Sequence, residues 1–199
     1  MTEPHPIFET VFGEKWSQLP NVFKRHYANR AYAHDKVTVT GKITIQNKGM
    51  MKWLGPLFGM LRTLPPNAAK DVPITVDYVS YPDSNAFHLQ RTFYYPNRPA
   101  FTFHSKMIPL HDNVLMELTP CFFGWKMSYE YNADQVKLKH LGFVLKVWNW
   151  YMPLPIEWMI GQCNAVETVV SDNEFKMRMQ FTHPWFGVLY EYYGNFTLI

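Results

Sequence analysis

From Lys36 to Gln46 the chain reads KVTVTGKITIQ, with Val37, Val39, Ile43 and Ile45 on one side of an extended backbone and Lys36, Thr38, Thr40, Lys42 and Thr44 on the other. Such period-two alternation predicts a strand with one buried and one wet face. Strand-like runs follow at 74–80, 87–95, 101–107, 114–119, 123–131, 136–145, 160–170, 175–183 and 188–198. Asn132-Ala133-Asp134 and Asp172-Asn173 between them have turn chemistry, so neighbours are expected to pair as hairpins in an antiparallel meander.

Other segments break the rule. Residues 8–27 read as short helices interrupted at Leu19-Pro20, giving a helical lead-in over 1–35. Between Lys48 and Pro66 the period changes, and Met50, Trp53, Leu54, Leu57, Phe58, Leu61 and Leu64 recur at helical spacing around Gly55-Pro56. This predicts one kinked apolar helix, 49–64, inserted between the first and second strands. In residues 146–157, Pro153 and Pro155 favour an extended crossing or an edge. A sheet of about ten strands must hide its edges, so the fold class is mostly β, an antiparallel β-barrel or strongly curved sheet, in one domain over 1–199. The alternative is a START-like helix-grip, which needs a long C-terminal helix. The chain ends instead in VLYEYYGNFTLI, with Val188, Tyr190, Tyr192, Phe196 and Leu198 on one strand face.

Composition adds a demand on the interior. Aromatic residues make up 17% of the chain and charged ones only 18%, below the roughly 25% charge of an average domain. The rings need covering, by a filled core or by an apolar ligand. A net charge of +3 without a run of Lys and Arg gives no electrostatic footprint for nucleic acid. Cys121 and Cys163 form neither a disulfide framework nor a metal-ligand spacing. The opening MTEPHPIFET lacks signal-peptide design and no apolar run reaches spanning length, so the expected compartment is cytoplasmic.

The phrases FGEKWSQLPNVFKRHY, Leu64-Pro65, LQRTFYYPNRPAFTFHS, Pro153-Leu154-Pro155, Glu167 and HPWFGVLYEYYGNF, in this order, resemble the bacterial family catalogued as domain of unknown function 4166. The resemblance covers nearly the whole chain. Members occur alone or joined to reductase-like, nicotinamide-binding domains, which implies a single domain, an auxiliary role beside small-molecule or lipid metabolism, and a reductase as a partner. GxGxxG itself is absent from this chain. Where the family phrase has Trp before the Arg matched by Arg91, this chain has Gln90.

No P-loop, GxSxG, HExxH or CxxC is present, so no catalytic residue, metal or cofactor is assigned. The most informative residue is Arg91, in phase with Phe87, Leu89, Phe93 and Tyr95. A buried guanidinium requires an anion. Glu167, in phase with the small Cys163 and Ala165, is the expected protein partner; a ligand carboxylate or phosphate, or an edge position reaching water, are the alternatives. The expected ligand site is Arg91, Glu167, Phe93, Phe103, Trp125, Tyr129, Tyr190 and Tyr192, around an apolar or amphipathic, lipid-like molecule. His26 and His140 read as satisfied core imidazoles or ligands, and His88 and His104 as exposed. Met50, Trp53, Leu57 and Phe58 mark the apolar helix as plain core, as a lid, or, with Lys48, Lys52, Arg62 and Lys70 beside it, as a peripheral membrane contact. An enzyme of unrecognised type, using Arg91, Glu167 or a histidine, and a module that docks a reductase are the other functional readings. Asn195-Phe196-Thr197 matches a glycosylation acceptor but reads as strand.

Overall fold

The alternating runs form sheet from Lys36 to Leu198, apart from the inserted apolar helix and a short helix before the ninth strand. In the computed structural model, which describes residues 5–65 and 67–199, the strands are β1 (Lys36–Asn47), β2 (Ala69–Val79), β3 (Phe87–Phe93), β4 (Phe101–His111), β5 (Val114–Leu118), β6 (Phe123–Asn132), β7 (Gln135–Val147), β8 (Trp150–Leu154), β9 (Gln162–Val169), β10 (Glu174–His183) and β11 (Gly187–Leu198). The expectations touching residues 1–4 and Pro66 lie outside the described residues. The pairing is antiparallel throughout, β1 joins β11, and β6–β7 and β7–β9 complete a ring of ten strands. β8 hydrogen-bonds outside the ring to β7, as the edge that Pro153 favours. Closure leaves no long edge exposed in the ring. The C-terminal segment is β11, so the helix-grip alternative falls.

The β6–β7 turn places Ala133 and Asp134 at positive φ, the geometry that matches hairpin twist. This turn and the β2–β3, β4–β5 and β9–β10 connections surround one end of the barrel. There α1 (Ile7–Phe12), a 3-10 segment (Gly13–Gln18) and α2 (Asn21–His26) enter the mouth. Their rings become core: Phe8 packs edge-on against Phe87 at 4.9 Å and Tyr129 at 5.2 Å, and Phe23 packs against Phe175.

The opposite mouth is covered by α3 (Met51–Met60), shorter than the 49–64 expected and containing Pro56. Its buried face is Met51, Gly55 and Gly59, so the helix approaches the barrel through residues with little or no side chain. Trp53, Leu57 and Met60 therefore face solvent.

One wall is forked. The first part of β7 pairs with β9 through Gln135–Leu138, and its last part pairs with β8 through Phe143–Val147. The bulge between them holds Gly142 at φ +144. Beside the fork lies α4 (Glu157–Ile160), so Ile160, expected to begin a strand, ends a helix instead. Gly161 ends it at φ +78, where a Cβ would stand 2.4 Å from the Thr182 carbonyl oxygen.

Candidate functional site in the barrel interior

Inward-facing positions of β3, β4 and β5 build a polar layer across a mostly apolar interior. Arg91 is buried, and its NH1 donates to Ser105 Oγ at 2.7 Å and contacts Glu117 Oε1 at 2.9 Å. Ser105 in turn donates to Glu117 at 2.6 Å. The guanidinium also lies 5.1 Å from the centre of the Phe103 ring, a cation–π distance. Burial works against the charge, but Glu117, Tyr192 and Tyr78 together outweigh it, so Arg91 titrates above its ordinary value. The sequence expectation that Glu167 pairs with Arg91 is corrected: the partner is Glu117. Arg91 and Glu117 flank β4, so a three-strand register decides the pair.

Glu167 belongs to a second buried group, on the α1–α2 side. It accepts a 2.5 Å bond from the Tyr27 hydroxyl and lies 3.8 Å from His26 Nε2. Burial raises its carboxyl to about 7, against the lowering effects of the Tyr27 bond and the Arg91 charge. Burial lowers His26 to about 3, so its imidazole is neutral. The Nδ1 of His26 has no hydrogen-bond partner among the described residues.

Two narrow cavities flank the layer. One, of about 70 Å³, reaches towards α3 and is lined by Phe58, Leu64, Phe103, Phe143, Met179 and Tyr192, among others, with Arg91 and Glu117. The other, of about 40 Å³, reaches towards α1 and α2, past Tyr78, Phe93, Tyr129 and Glu167. Arg91, Met107, Leu138, Met177 and Tyr192 border both.

The fork in the wall is sealed by side chains. Trp125 Nε1–H donates to His140 Nδ1 at 3.0 Å, which leaves the imidazole proton on Nε2, 3.2 Å from Glu157 Oε1. Glu157 also accepts the Phe143 N–H, and Asn164 accepts the His140 N–H where the β9 ladder has stopped. Burial lowers the His140 pKa, and the Glu157 bond acts against that shift.

Of the residues expected from the sequence, Arg91, Phe103, Trp125 and Tyr192 line the α3-side cavity, and Arg91, Phe93, Tyr129, Glu167 and Tyr192 the other. Tyr190 is buried with its hydroxyl on the Pro65 carbonyl and borders neither. Within the expected lid, Phe58 faces the cavity, whereas Met50, Trp53 and Leu57 are exposed because Gly55 and Gly59 take the inner side. His104 is exposed as expected, but His88 is partly covered and bonded to Ser84. Sequence reasoning missed Ser105 and Glu117, although Ser105 is in phase with Phe103 and Met107, and Glu117 with Leu115.

No curated protein matches this chain. A solved structure of a Thermobifida fusca YX protein provisionally named thioesterase II is similar at 8% identity over 82% of this chain and 78% of that one, with a TM-score of 0.26. That score is too low to argue from. A family model described as Domain of unknown function (DUF4166) matches residues 19–196, nearly the whole barrel together with α2. The chain thus belongs to the DUF4166 family.

Proposed function

We propose that this protein binds an apolar, lipid-like small molecule carrying one neutral polar group, such as an alcohol, ketone or ester. The observation that carries the reading is the Arg91, Ser105 and Glu117 layer between two aromatic and methionine-lined cavities, with its charge cancelled in place. NH1 of Arg91 is occupied by Ser105 and Glu117. Nε–H and the second amino group are the donors a ligand would reach, because a guanidinium has five N–H groups. A ligand carboxylate would meet Glu117 beside Arg91 and suffer desolvation as well. A neutral oxygen gains a charge-assisted bond without that repulsion.

The cavities, about 70 and 40 Å³, are smaller than the roughly 300 Å³ of an ordinary ligand pocket. Filling them requires side chains to move, and Met107, Met177 and Met179 are adaptable enough to do so. Entry from the α3 end is the shorter route to the larger cavity, past Phe58 and Leu64. A second reading, an enzyme, is favoured by one observation: a buried carboxyl raised to about 7 beside His26 and Tyr27. Such a group can exchange a proton near neutral pH.

Calorimetric titration with 1-decanol, decanoate and decane tests the binding proposal. Decanol is expected to bind about tenfold more tightly than decanoate, and Arg91→Met to remove its advantage over decane. Equal or tighter binding of decanoate, or no binding by any of them, overturns it.

A further inference from the structure

We infer that the α3 end of the barrel docks on an anionic lipid bilayer. Strand direction brings α3 and the β3–β4, β5–β6, β7–β8 and β10–β11 connections to this one end. The exposed tryptophans Trp53, Trp148, Trp150, Trp158 and Trp185 all lie there, and so do the exposed Phe122 and Phe186. At the other end the exposed bulky residues include Tyr32, Leu110 and Val170, but no Trp or Phe among the described residues. Tryptophan is the side chain that best suits the lipid headgroup level, with an apolar body and one N–H donor.

Charge is divided the same way, and independently of the rings. Lys48, Lys52, Arg62, Lys70 and Arg98 are exposed around the aromatic end, with Asp71 the exposed acid there. The opposite end exposes Lys15, Arg25, Arg30 and Lys36 in and after the N-terminal plug, but the acids exposed there, Glu14, Asp83, Asp112, Asp134, Asp172 and Glu174, outnumber them. An anionic surface therefore orients the molecule with its rings facing the lipid. The presentation is built: buried His183 lies 2.9 Å through Nε2 from the Trp158 carbonyl and accepts the Trp185 N–H at Nδ1, holding two of the loops together. Outward positions of the strands carry Lys42, Lys106, Lys137, Lys176 and Arg178, so contact is end-on and not through the wall. This inference stands whether or not the interior takes a ligand.

Pelleting with vesicles of phosphatidylcholine, with and without about one-third phosphatidylserine, tests it alongside tryptophan emission. Binding is expected to the anionic vesicles at low salt, with a blue shift, and to weaken as salt rises. Lys52→Gln or Arg62→Gln should each lower partitioning about fivefold, and the double variant Trp148→Ser, Trp185→Ser should remove most of it. Tyr32→Ser and Asp134→Asn, at the far end, should leave it unchanged, and circular dichroism should stay native throughout. Failure of anionic vesicles to bind the native protein overturns the inference. So does equal binding by all variants, or light scattering showing a dimer that Trp148→Ser dissociates, which would assign the face to a second copy.

Discussion

The barrel is closed at both ends by helical segments, yet α1 and α2 differ from α3 in how they treat their rings. Phe8 and Phe23 are 0% exposed, inserted among the strand residues, whereas Trp53 of α3 is 85% exposed and Met60 74%. The N-terminal plug is part of the core, and its removal would open apolar surface on both sides. The cap rests on Met51 and two glycines and contributes Phe58, Leu54 and little else to the interior. Local opening costs least where few apolar contacts are buried. Opening at the cap therefore disturbs the fold least.

Core truncations should show the largest difference between these ends. Phe8→Ala is expected to destabilise by about 3–5 kcal/mol in denaturant unfolding, and Phe58→Ala by much less; equal losses would end the distinction. Arg91→Met strands Glu117 in the interior and should cost a similar 3–5 kcal/mol, while Arg91→Met with Glu117→Met should recover most of it. At pH 5 to 6, where Glu167 is largely protonated, adding Glu167→Met to Arg91→Met should give no comparable recovery, because Glu167 is held by Tyr27.

The plug side should also reveal itself through pH. Glu167 binds its proton more tightly folded, at about 7 against 4.5, so its contribution to stability falls as pH rises through that window. His26 binds its proton less tightly folded, at about 3 against 6.5, so its contribution rises with pH between those values. The two slopes oppose each other where the windows overlap, and stability should be nearly flat there. Glu167→Gln should unmask the His26 slope and raise stability at pH 8 by on the order of 3 kcal/mol. An unchanged pH profile would show that these groups do not titrate as their burial dictates.

Hydrogen exchange should separate the ends without substitutions: amides of α3 are expected to exchange faster than those of α2, although both are short helices. The smallest effect is at the surface. Trp53→Ser should change stability by no more than about 0.5 kcal/mol, and a larger loss would mean that the exposed ring supports the cap.

Strand alternation made the inward direction of Arg91 legible, together with the wall residues Phe93, Phe103 and Tyr192. Its partner was not, because alternation gives the face of a strand and not its neighbour two strands away. Glu167 stood out through the small Cys163 and Ala165 beside it, whereas Glu117 shares a short run with four apolar residues. The β4–β5 register, with its irregularity at Pro109 to His111, is what brings Glu117 to Arg91. In α3 the helical period showed apolar residues around the axis but not which side turns inward. Close approach through Gly55 and Gly59 decides that, and glycine carries no hydrophobic signal.

Methyl NMR of the methionines reports directly on whether a ligand enters the interior. Met107, Met177 and Met179 border the cavities, while Met60 and Met152 are exposed. Titration with 1-decanol should shift the three interior methyl signals saturably. Shifts confined to Met60 and Met152, with the interior methyls unmoved, would contradict binding inside the barrel.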